Sequence, residues 1–306
     1  MTRRDFIPLL LSAPAQRHAR IVRRITAWPA NGQPIDSSAL TIKVEGKPAR
    51  IVRTRGADAP LLLLIVSDLT GDLTLADAAR QALLAEIEKL PPSAWIGLLR
   101  VQDGLQVLLD PTPDRAAAAA ALNALAITGR ANLLDSLEPA CILASSILHK
   151  TGVRTAVLCV TDSNIYNYRE DYTNPVINYS DSRDLSRRFP EALIREKTAK
   201  VASSLAELDA PVFATHLAFL RDRLNEAYQT GLQQMMQATG GEALFARAQT
   251  EIAPMIAGAV SRLNAMWAID IEIPPDTPRS FTVELASPGL QINYRSRFAM
   301  RSRKRE

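Results

Sequence analysis

Asp68, Thr70 and Asp72 place an oxygen-bearing side chain at every second position directly after an unbroken apolar run, Leu61 to Val66. A run of that length bounded by breakers reads as a strand buried on both faces, the centre of a parallel sheet. In open α/β sheets, ligands bind just beyond the carboxyl ends of such strands, so these residues stand where a site is built. Asp162 follows the strand pattern Thr155 to Val160 and offers a carboxylate in an equivalent place. The same oxygens have a second use, because short acidic side chains cap helices and accept backbone N–H groups. Asp135 falls one turn into a helix pattern, where it complements the helix dipole. The chain carries no glycine-rich nucleotide loop, no Cys/His metal cluster and no nucleophile elbow. His18, His149 and His216 are scattered without ligand spacing, and His216 reads as a core histidine in a strand.

The elements that position these residues alternate strand and helix over 60–265. The strands are expected at 60–67, 94–101, 105–109, 154–161 and 211–217, and the helices at about 74–90, 113–126, 133–149, 190–208, 221–238 and 248–264. Asp103-Gly104 turns a hairpin between the second and third strands, and Thr239-Gly240-Gly241 ends a helix with a left-handed glycine cap. This βαβ alternation predicts an α/β fold, a doubly wound and mostly parallel sheet. Residues 18–57 instead alternate in the strand manner, with a turn at Asn31-Gly32, and three more strands are expected at 266–273, 280–286 and 290–297. Neither end has strands enough to bury a face alone, so the N- and C-terminal strands are expected to join in a small β-sandwich. Trp28, Trp95 and Trp267 fall in strand patterns and read as core; Cys141 and Cys159 read as small buried hydrophobes.

A polar, tyrosine-rich stretch covers 163–189 and overhangs the same face as Asp162. Tyr166, Tyr168, Arg169, Tyr172 and Tyr179 are candidate contacts for a protein partner, because Tyr and Arg are enriched at interface hot spots and long loops on rigid scaffolds carry function.

With 306 residues, 47% hydrophobic and 22% charged, the chain has the composition of a globular protein. Its net charge is +4, mostly from arginine, and the basic tail at 301–305 reads as a solvated end. No aromatic-basic pattern points to nucleic acid, and no segment reaches the roughly 18 apolar residues of a membrane span. At the N-terminus, Arg3-Arg4, Phe6, a short apolar stretch and Ala13-Pro14-Ala15 have the form of a twin-arginine export signal over 1–15, which implies an exported protein. The alternative is an N-terminal arm on a cytoplasmic protein. The expected organisation is therefore a signal at 1–15, N-terminal strands at 16–57, an α/β domain at 58–265, C-terminal strands at 266–298 and a tail at 299–306.

The order of these segments resembles the von Willebrand factor type A (VWA) domain, and more closely the bacterial VWFA-related proteins in which short β segments flank it. Val44-Glu45-Gly46-Lys47-Pro48 matches the family's acidic-Gly-Lys turn. Asp68-Leu69-Thr70-Gly71-Asp72 matches Asp-x-Ser-x-Ser, and the stretch from Gly129 to Ser136 matches Gly-Gly-Thr-x-Leu-x-Asp-Ala. Thr161-Asp162-Ser163, Thr239-Gly240-Gly241 and the stretch from Asn293 to Phe298 match later segments. The resemblance implies a Rossmann-like fold and a non-enzymatic protein-interaction module. It also implies a metal-ion-dependent adhesion site, in which hydroxyls hold Mg²⁺ or another divalent cation directly and carboxylates act partly through water. Carried over, the ligand set is Asp68, Thr70, Asp72 and Asp162. Asp72 stands where a Ser belongs and Ala131 where a Thr ligand belongs, so the site is degenerate, with Asn132 as a candidate surrogate. The alternative is a haloacid-dehalogenase-like, Mg-dependent phosphotransferase using Asp68 as nucleophile. That class needs a second Asp two residues later, and position 70 is Thr.

Overall fold

The computed structural model describes residues 21–30, 35–168 and 190–300. The export-signal pattern, His18, the Asn31-Gly32 turn, Arg169, Tyr172, Tyr179 and the tail at 301–306 lie outside the described residues. Four strands come first: β1 (Ile21–Pro29), β2 (Thr41–Val44), β3 (Lys47–Pro48) and β4 (Arg50–Arg55). The α/β part runs β5 (Leu61–Asp68), α1 (Leu73–Lys89), β6 (Trp95–Arg100), β7 (Gln106–Thr112), α2 (Arg115–Asn123), α3 (Leu133–Thr151), β8 (Arg154–Thr161), α4 (Pro190–Leu205), β9 (Val212–His216), α5 (Arg223–Thr239), β10 (Ala243–Phe245) and α6 (Ile252–Ala265). Four strands follow: β11 (Trp267–Ile273), β12 (Ser280–Ala286), β13 (Ile292–Tyr294) and β14 (Arg297–Ala299).

The central sheet has the order β7-β6-β5-β8-β9-β10, parallel except for β7, which runs against β6. Numbered along the chain, that is the 3-2-1-4-5-6 order of a doubly wound sheet, with its switch point between β5 and β8. Both of these strands are buried at every residue. Leu61, Leu63 and Ile65 pack with α1, α2 and α6 on one face, and Leu62, Leu64 and Val66 with α3, α4 and α5 on the other. Because successive side chains serve opposite apolar layers, the strand has no polar alternation to show.

The strands at the two chain ends form two antiparallel sheets, β13-β1-β11-β4 and β14-β12-β2-β3. β1 runs along β11 from Ile21↔Ile273 to Ala27↔Trp267, and β12 pairs with β2. Ile25, Ile269 and Ile271 from one sheet and Ile42, Val44, Phe281 and Val283 from the other form a single apolar cluster, the small sandwich expected of the two ends. β1 and β2 belong to different sheets.

The structure corrects the sequence reading in three places. β10, the sixth strand of the central sheet, was not foreseen: Ala243–Phe245 is three half-buried residues, too short for any periodicity. The strand expected at 290–297 is two strands, broken where Arg295 turns inward to 5% exposure. Trp95 is not core but 45% exposed at the start of β6.

Buried arginines join the small sandwich to the α/β part. Arg154, at the start of β8, donates to the carbonyls of Ala57 and Ala59 before β5 and of Asn264 and Met266 at the end of α6. Arg24 of β1 pairs with Asp270 at 2.7 Å and also reaches the carbonyls of Gly152 and Val153. Arg295 donates to the carbonyls of Ala206 and Leu208, and Arg23 meets Asp209 at 3.1 Å.

Candidate functional site

At the carboxyl ends of β5 and β8, the two strands flanking the switch point, Asp68 is the last residue of one and Asp162 follows the other. Asp68 is fully buried. Its Oδ2 accepts from the Ser163 hydroxyl at 2.7 Å and the Thr161 hydroxyl at 3.3 Å, and its Oδ1 from the Asn132 N–H at 3.3 Å. Burial pushes its carboxyl up to about 6, against the opposing pull of those donors.

Asp162 reaches across to the loop after β5. Its Oδ1 accepts from the Thr70 N–H at 2.6 Å and the Thr70 hydroxyl at 3.0 Å; its Oδ2 accepts from the N–H groups of Gly71 at 3.3 Å and Asp72 at 3.1 Å. Asp72 is the N-cap of α1, with Oδ1 accepting from the Thr74 and Leu75 N–H groups at 3.0 and 3.1 Å. Asn132 precedes α3, and its side-chain amide donates to Ser136 Oγ at 2.7 Å. Asp135, in the first turn of α3, pairs with Lys197. Among the described residues, no group of three or more His, Cys, Asp or Glu is arranged to hold a metal ion.

The other loops at this end are tied to the same centre. The Ala131 N–H donates to the Asn167 carbonyl at 3.1 Å, and Ala131 forms a parallel bridge with Tyr168. The Gln102 side chain, just past β6, donates to the Leu69 carbonyl at 2.5 Å. Ala218 N–H donates to His216 Nδ1 at 3.3 Å, which leaves Nε2 as the donor to the Ser163 carbonyl at 2.9 Å and assigns a neutral ring. Burial lowers the His216 pKa in keeping with that.

Tyr166 and Tyr168 part company. Tyr166 is 55% exposed and donates to Asp222 at 3.0 Å. Tyr168, expected among the partner contacts, is corrected to a core residue: it is 7% exposed and its hydroxyl meets that of Tyr228 at 2.9 Å. Thr161, Ser163, Gln102 and His216 were not anticipated at the centre. Period-2 geometry could have found two of them, since Thr161 and Ser163 flank Asp162 and point to the side opposite it.

No family profile and no curated protein matches the sequence. The solved structures that align with this one include von Willebrand factor type A domains, at TM-scores below 0.5. A von Willebrand factor type A protein from Catenulispora acidiphila aligns over 94% of this chain and 76% of its own, at 12% identity and a TM-score of 0.46. The vWF domain of the type V pili tip protein Mfa5 from Porphyromonas gingivalis aligns over 67% of this chain and 95% of its own, at 12% identity and a TM-score of 0.45. The PilB minor pilin from Streptococcus sanguinis aligns over 68% of this chain at 13% identity and a TM-score of 0.47, and this chain spans 62% of its length. Among the described residues, no helix is long and apolar enough to cross a membrane.

Proposed function

We propose that this chain is a non-enzymatic protein-interaction module of the VWA type with a degenerate metal-ion-dependent adhesion site. Its working face is the end of the central sheet where β5 and β8 finish. The observation that carries the reading is the way Asp68 and Asp162 tie separate loops into one platform at the switch point, where doubly wound sheets bind their ligands. Loops held in this way lose little freedom on binding, which favours recognition by a preformed surface.

Within this reading, Tyr166 is the exposed aromatic of the platform, propped by Asp222. Arg169, Tyr172 and Tyr179 would extend the contact along the chain. The 16–57 and 266–298 strands form a supporting β unit and 58–265 the binding domain. The twin-arginine pattern at 1–15 supports a place outside the cytoplasm.

The test is a comparison of variants against a captured protein partner. Tyr166→Ala and Asp222→Ala should each weaken binding about tenfold or more, the range of interface hot spots. Glu88→Ala, near the other end of α1, should leave affinity unchanged. Equal binding by all three variants would remove this face from the reading.

A further inference from the structure

An ionised carboxylate has about four lone-pair sites. Asp162 receives four donors, two on each oxygen: the N–H and hydroxyl of Thr70, and the N–H groups of Gly71 and Asp72. No site is left for a cation or for a cation's water. The rest of the carried-over ligand set is engaged in part. Asp72 Oδ1 takes two N–H groups of the first turn of α1, and Asp68 takes three donors. Ala131 has no side-chain oxygen, and Asn132 turns its amide group to Ser136.

Three successive N–H groups converging on one carboxylate make an anion nest, and this nest sits at the positive end of α1. Such a pocket is built for negative charge. We infer that Asp162 is an internal anion that locks the 69–72 loop to the end of β8, so that this face is complete without a divalent cation. A set of oxygens that fits a hard cation needs lone pairs facing a common point; here the donors of the loop have taken those of Asp162.

The functional meaning of the lock rests on the interaction reading above. A face without a cation has no Lewis acid to receive a partner's carboxylate. Recognition then falls on groups such as Tyr166, and acidic segments are no longer the preferred partners.

The experiment uses the full chain. Thermal midpoints are measured in EDTA and in millimolar Mg²⁺, Mn²⁺ and Ca²⁺, and amide hydrogen exchange is followed in EDTA. The expected result is the same midpoint in all four conditions, with slow exchange at Thr70, Gly71 and Asp72. A midpoint that rises with any cation, as linkage requires of a ligand bound well below its concentration, overturns the inference. Fast exchange of the three amides in EDTA overturns it equally. Asp162→Asn should lose that protection and gain no cation response; should it fail to fold, the wild-type measurements still decide. Neither readout involves a partner. A cation response therefore leaves the interaction reading standing, and equal binding by the Tyr166 and Asp222 variants leaves the lock standing.

Discussion

Asp68 carries a cost that depends on pH. Burial holds its carboxyl at about 6 in the folded protein, against the ordinary 3.8 of an open chain. The folded state therefore keeps a proton that the unfolded chain releases first. Below about pH 4 both states are protonated and the cost is absent; it grows as pH rises towards about 6 and is complete above that. The displacement is worth about 3 kcal/mol. Asp68→Asn is neutral throughout, so its unfolding free energy relative to wild type should increase by about 3 kcal/mol between about pH 4 and about pH 7, read from urea titrations. A difference that stays flat over that window would mean the buried carboxyl is ionised throughout. The acids themselves were legible in the sequence because apolar strands deliver them to one end of the sheet. Of their partners, Thr161 and Ser163 were within reach of the strand's period of two, whereas the Asn132 N–H carries no pattern apart from the fold that brings it to Asp68.

The helix ends were the most readable local feature, and the Thr239-Gly240-Gly241 segment shows why. Gly240 caps α5 with φ +87°, and a Cβ there would lie 2.9 Å from Arg295 Cβ. A Cβ on Gly241 would fall on the Val212 carbonyl, so this glycine is needed for close approach between the end of α5 and β9. The left-handed cap could be read from the chain; the crowding could not, since it depends on β10 returning beside β9 and on Arg295 folding inward. Gly241→Ala should cost about 3 kcal/mol or more and sharply lower the thermal midpoint, because the strand must shift. Gly258, inside α6 with open space at its Cβ position, is the control. Gly258→Ala should stabilise by up to about 1 kcal/mol. Similar midpoints for the two variants would contradict the packing argument.

The small sandwich is assembled from both chain ends, so its stability depends on how the α/β part holds those ends together. Hydrophobic periodicity predicted that the ends meet, because neither could bury a face alone. It said nothing about the joint, because an arginine that will be buried looks like any other in an arginine-rich chain. Arg154 lies at that joint with 1% exposure, with no carboxylate within bonding distance among the described residues but donating to four carbonyls in the two connecting segments. Burial lowers its pKa only to about 10, so it stays charged at neutral pH, and the carbonyl dipoles compensate that charge. Arg154→Met keeps the apolar stem and removes every donor. The carbonyls of Ala57, Ala59, Asn264 and Met266 would then lose their partner in an interior that admits little water, at roughly 1–3 kcal/mol for each one left unsatisfied. The expected outcome is a midpoint several degrees lower, with new protease cleavage within 56–60 and 264–267 at temperatures where the wild type is intact. Because β1 pairs with β11 across almost the full sequence, opening at these connections exposes both ends of the sandwich together, so sandwich and α/β part should melt in one transition. An Arg154→Met protein that resists protease and melts at the wild-type temperature would show that apolar packing alone, through contacts such as those of α6 with β1, holds the two parts together.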